Sequence, residues 1–119
     1  MSMKAIDIIS IPVTDQQRAK EFYIKFGFEL IVENPFQNGA NWIQLGLPGG
    51  GTNNTLVNWF PQLTPGCIAG YVIKCDDLDA TLDGLKEKGI ETGNADKTPW
   101  GRFATVRDPN GNSWSLHGK

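Results

Sequence analysis

The chain has 119 residues, 39% of them hydrophobic and 20% charged, with 11 basic and 13 acidic side chains and a net charge of −2. That length suits one domain with a core that needs neither disulfide nor metal. The basic residues are scattered, which argues against a nucleic-acid or anionic-membrane face, and no apolar run approaches the ~18 residues of a membrane span. Met1 to Ser10 lacks the basic and long apolar regions of a targeting signal, so the stretch reads as mature protein.

Lys4 to Val13 is a β-rich run in which Ile9, Ile11 and Val13 share one face. Thr14 and Gln17 stand at capping-box spacing, with Asp15 beside them. Ala19, Phe22, Tyr23 and Phe26 then form a helical stripe that Gly27 stops. Phe28 to Glu33 alternates as a strand, and Pro35 to Gly39 is a turn-rich loop. Asn41 to Leu47 is a third strand, with Trp42, Gln44 and Gly46 on one face and Ile43, Leu45 and Leu47 on the other. Pro48 to Asn54 is glycine-rich but lacks the lysine and following helix of a phosphate loop, so it reads as a turn. Thr55 to Phe60 makes a fourth strand, and Pro61 to Gly66 is a short bridge.

Cys67 to Cys75 is the next strand. Its two cysteines, at roughly 3.3 Å per residue, stand about 26 Å apart, beyond the ~7 Å reach of a disulfide. They read as small buried hydrophobes in a cytoplasmic protein. Asp76 to Lys88 is a helix with Leu78, Leu82 and Leu85 facing inward and Gly89 as its stop. Ile90 to about Asn94 and Arg102 to Arg107 are strands, and the Asp108-Pro109-Asn110-Gly111 turn joins the latter to Ser113–His117. The order βαβββ occurs twice, at an offset of 62 residues: Ile9, Ile11 and Val13 return as Tyr71, Ile73 and Cys75. Two copies are too few for a solenoid. The expected object is a single domain of two halves, about 4–60 and about 67–117.

Val13-Thr14-Asp15, Phe22-Tyr23, Phe26-Gly27-Phe28 and Cys75-Asp76-Asp77-Leu78-Asp79-Ala80 occur in order along the chain. With Pro99-Trp100-Gly101-Arg102 and Asp108-Pro109-Asn110-Gly111-Asn112 they make it resemble the vicinal oxygen chelate superfamily. That superfamily includes glyoxalase I, bleomycin-resistance proteins and extradiol dioxygenases. The resemblance implies an α+β fold in which two βαβββ modules form an incomplete barrel around a cleft. It also implies a homodimer, with modules paired within one chain or exchanged between two. The four positions that hold a metal in metal-using members fall here on Ile8, Gln44, Gly70 and Ser115. Such a set cannot hold a catalytic divalent ion, so no metal and no cofactor are expected. His117, the single histidine, reads as structural or surface-exposed near a fraying C-terminus.

Strand parity turns Ile6, Ile8, Ser10, Trp42, Gln44, Ile68, Gly70, Val72, Ser113 and Ser115 toward the cleft, and Trp114 toward the core. Trp59 or Phe60, with Trp100, stands at its rim, and Phe36 closes over it from a loop. The expected ligand-binding residues are Ser10, Trp42, Gln44, Trp59, Trp100, Arg102 and Ser115. Arg102 would meet an anionic ligand, whereas Arg107 reads as a structural ion-pair partner. An apolar, aromatic-walled pocket with a few amides and hydroxyls suits a flat organic molecule. No Ser-His-Asp or Cys-His arrangement can be built from the inward positions, and no catalytic residue is assigned. A small-molecule-binding protein leads. A glyoxalase-like lyase, isomerase or dioxygenase is the alternative, and an accessory subunit with a vestigial cleft is the third reading.

Overall fold

Period-two burial gives Asn41–Gly46, Gly101–Arg107 and Ser113–Gly118 a core face and an outer face, and the apolar stripe of one helix covers the core side of each sheet. Among residues 2–119, which the computed structural model describes, lie eight strands and two helices. The first half runs β1 (Ile8–Pro12), α1 (Gln16–Phe26), β2 (Glu29–Pro35), β3 (Asn41–Gly46) and β4 (Asn53–Val57). The second runs β5 (Tyr71–Lys74), α2 (Leu78–Glu87), β6 (Asp96–Thr98), β7 (Gly101–Arg107) and β8 (Ser113–Gly118). The sheet orders are β1-β4-β3-β2 and β5-β8-β7-β6. In each, the first strand pairs with the last in parallel and the remaining pairs are antiparallel. The two sheets are therefore one topology used twice, and they are not closed on one another.

The helices start on aspartates. Asp15 and Asp77 accept from the backbone N–H of Arg18 and Ala80, so Asp15, not Thr14, is the cap of α1. Thr14 instead bonds Asn110 in the other half, and Gln17 donates to Glu33, which leaves the capping box unmade. Ile11, Val13, Tyr23, Phe26, Ile43, Leu45 and Leu56 form one core with Leu78, Leu82, Leu85, Ala104, Val106, Trp114 and Leu116. The helix-side faces of both sheets thus share a single interior.

A buried polar network ties the halves. Tyr23 Oη donates to Asp108 Oδ2 at 2.8 Å and accepts from Trp114 Nε1 at 2.9 Å. Asp108 also accepts from the backbone N–H groups of Asn110 and Asn112 and from Asn112 Nδ2. Asn112 donates further to Pro12 O, and its Oδ1 accepts from the N–H groups of Gly66 and Ile68. Burial, and then the facing Asp108, raise the Tyr23 hydroxyl pKa well above its ordinary value.

Three strand expectations are corrected. The strand expected from Cys67 begins only at Tyr71, because Gly70 takes φ +87° and breaks the alternation. Ile68 accordingly packs against the core rather than facing outward. The strand expected over 90–94 lies instead at Asp96–Thr98, because Ile90 turns into the core after Gly89. The fourth strand ends at Val57, which leaves Trp59 and Phe60 in the following bend.

Candidate functional site

Register aligns Ser10 with Thr55, Thr55 with Gln44 and Gln44 with Val32, so these four form one row across the first sheet. The row is on the outer face, since the flanking Ile11, Ile43 and Leu45 are fully buried. Trp42 stands beside it and donates from Nε1 to Gln44 Oε1 at 3.1 Å. That bond orients the indole and leaves the amide nitrogen of Gln44 as a donor. Trp59 stacks on Trp42 with centroids 6.3 Å apart and planes 21° apart. Phe36, from the β2–β3 loop, lies 4.9 Å from Trp59, and Phe60 completes the group at 6.2 Å. The result is an aromatic wall with the Gln44 amide and the Ser10 hydroxyl at its foot, while Thr55 in the same row is buried and its hydroxyl donates to Ile9 O.

On the second sheet the corresponding row is Val72, Ser115 and Thr105, and the next is Lys74, His117 and Phe103. Trp114 and Leu116 between them are buried. The His117 ring lies flat on Phe103, with centroids 4.4 Å and planes 14° apart. Its Nε2 is 2.8 Å from the carbonyl oxygen of Trp100. Trp100 is at the tip of the β6–β7 turn and is 79% exposed.

Of the seven expected ligand-binding residues, Ser10, Trp42, Gln44 and Trp59 gather on the first sheet or beside it, and Ser115 and Trp100 belong to the second. Arg102 joins neither group. It shares the core-side face of β7 with Ala104 and Val106, and its two terminal nitrogens, Nη1 and Nη2, donate to the Asp79 carboxylate of α2 at 2.9 Å. That bond holds the Asp79 carboxyl below the usual carboxylate range and raises the Arg102 pKa. Arg102 is thus the structural ion-pair partner, the role expected of Arg107. Among the described residues the ion pairs are Arg102–Asp79 and Lys20–Glu33. His117 is not frayed, since β8 runs through to Gly118. Phe103 and Thr105 escaped the sequence reading because their place follows from inter-strand register, although the buried neighbours Ala104 and Val106 carry the parity.

The metal positions implied by the resemblance do not form a donor set. Ile8 is aliphatic, Gly70 precedes β5, and the side chains around Gln44 and Ser115 bring hydroxyls and a neutral amide. Among the described residues no three His, Cys, Asp or Glu side chains gather. Catalytic divalent ions are held by imidazole, thiolate or carboxylate, so these residues do not fit one.

The two outer faces lie on the sides of their sheets opposite the shared core. The cavity at the seam between the halves, about 940 Å³, is lined by Phe28, Leu47, Tyr71, Ile73 and Trp114 among others. Ser10, Trp42, Gln44 and Ser115 do not border it.

Residues 5–116 match the model of the glyoxalase/bleomycin resistance protein/dioxygenase superfamily. The chain is 38% identical to TnmS3, an antibiotic binding protein from Streptomyces sp. CB03234. The two superpose with a TM-score of 0.92 over 98% of this chain and 97% of that one. A member of the same superfamily from Sphaerobacter thermophilus DSM 20745 is 27% identical, with a TM-score of 0.87 over 98% of each chain. The uncharacterized protein YetH of Bacillus subtilis (strain 168) is 30% identical over 96% of this chain and 98% of its own length.

Proposed function

The chain belongs to the glyoxalase/bleomycin resistance protein/dioxygenase superfamily, and from that premise we propose that it binds a planar aromatic molecule of antibiotic type without a metal ion. The observation that carries this reading is the wall of Phe36, Trp42, Trp59 and Phe60 above the Gln44 amide. Large flat rings gain most of their affinity from stacking on such a wall, and a few fixed polar groups set their orientation. The likeness to an antibiotic binding protein supports the same class of ligand. Hydroxyls of Ser10, Thr105 and Ser115 suit the carbonyl and hydroxyl oxygens such compounds carry.

The cleft requires two copies of the chain. Each outer face is half a cleft, and the two halves in one chain are turned apart by the core they share. A homodimer in which the first-sheet face of one copy meets the second-sheet face of the other completes two sites. The open edges of β1 and β5, with Ile6 and Val72 exposed beside them, support this assembly. Trp100 of one copy then faces the aromatic wall of the other, so that the ligand lies between indoles from two chains.

The test is a panel of polycyclic aromatic antibiotics screened by quenching of tryptophan fluorescence, with elemental analysis of the same samples. At least one compound is expected to bind at one molecule per chain with no stoichiometric metal. Trp42→Ala should weaken it about thirtyfold, the loss of a stacking hot spot of about 2 kcal/mol. Stoichiometric Ni, Zn, Fe or Mn needed for binding would end this reading.

A further inference from the structure

We propose that His117 is a positioning residue that presets Trp100 for the ligand, an inference that rests on the placement of Trp100 at the shared cleft. Exposed side chains at turn tips are ordinarily mobile, yet this turn is fastened at three points. The Trp100 N–H donates to Thr98 Oγ1 at 3.2 Å, and Thr98 Oγ1 donates to Gly101 O at 2.7 Å. The third point is the 2.8 Å contact of His117 Nε2 with Trp100 O. A carbonyl only accepts, so Nε2 carries the proton in this bond. Phe103 holds the ring in plane from below.

Gly101 is what lets the imidazole come in. Its φ is +120°, and a Cβ there would lie 2.8 Å from His117 Nε2 and 2.8 Å from Gly118 O. A backbone conformation open to glycine, a hydroxyl and the chain's only histidine all serve to order the turn backbone that carries one 79% exposed indole. Within a single chain that order stabilises little, since the indole buries little. It pays when a flat ligand stacks on Trp100, because the turn is ordered before the ligand arrives.

The probe is 8-anilinonaphthalene-1-sulfonate, a planar aromatic anion, titrated into the full chain and its variants. His117→Ala is expected to weaken binding roughly three- to tenfold, and to add nothing when combined with Trp100→Ala. His117→Gln, which keeps an N–H donor, should recover part of the loss. Faster amide exchange confined to Thr98–Gly101 in His117→Ala should accompany it, with the unfolding midpoint little changed. An equal loss in the Trp100→Ala background, or unchanged affinity and exchange in His117→Ala, would overturn the proposal. If Trp42→Ala and Trp100→Ala both leave the probe's affinity intact, the shared-cleft reading falls, and this inference falls with it.

Discussion

Tyr23 and Asp108 stand 85 positions apart in the chain and meet in one buried hydrogen bond. Asp108 is a negative group in the interior, and it is tolerated because Tyr23, Asn112 and two backbone amides donate to it. Tyr23→Phe removes one of those donors and leaves Trp114 Nε1 without its acceptor. It should cost about 1–3 kcal/mol in urea unfolding. Asn112→Ala strands donors and acceptors on both sides of the seam and should cost about 3 kcal/mol or more. Thiol chemistry separates the two cysteines. Cys67 is exposed, whereas burial pushes the Cys75 thiol pKa up. At pH 8, iodoacetamide should therefore label Cys67 well before Cys75 in the folded protein, and both alike in urea, as mass spectrometry would resolve. The Asp108-Pro109-Asn110-Gly111 motif was legible as a turn, but its acceptor role was not. Turn chemistry is local, whereas the Tyr23 and Asn112 donors arrive through the fold.

Elements are tied by paired charges at their flanks. Hydrogen bonds from Lys20 and Gln17 hold the Glu33 carboxyl of β2 below its ordinary pKa. A carboxyl depressed in the folded state stabilises above its unfolded pKa, and that gain disappears as pH falls through the folded value. Glu33→Gln should thus lower stability slightly at pH 7, by less than about 1 kcal/mol for a pair at the protein surface. The difference from wild type should shrink as pH falls below the ordinary carboxylate range. Both helices, the doubled βαβββ order and the core faces of β1, β3, β7 and β8 were legible, because each depends on periodicity over several residues. Arg102 was misplaced because its neighbour Trp100 lies outside β7, on a turn that does not obey strand parity. The strand expected at 90–94 failed for a related reason. A short polar segment after a helix has no alternation of its own, and its pairing is set by the edge of β7, where Gly93 N–H reaches Thr105 O.

At the scale of the molecule, the two halves bury their helix sides in one core, and in the proposed dimer a second copy completes their outer faces. Which half faces which is invisible to a repeat in the sequence, because an offset of 62 residues is satisfied by pairing within one chain or between two. The shared core of Tyr23, Trp114, Leu116 and Leu45 favours pairing between chains. The most direct test unfolds and refolds an equimolar mixture of Trp42→Ala and Trp100→Ala chains, then titrates 8-anilinonaphthalene-1-sulfonate. Each variant alone should bind weakly at every site. In the mixture about one site in four should regain wild-type affinity, since half the dimers are mixed and each mixed dimer holds one intact cleft. No recovery of tight sites in a mixture shown to contain mixed dimers would contradict a cleft shared between chains.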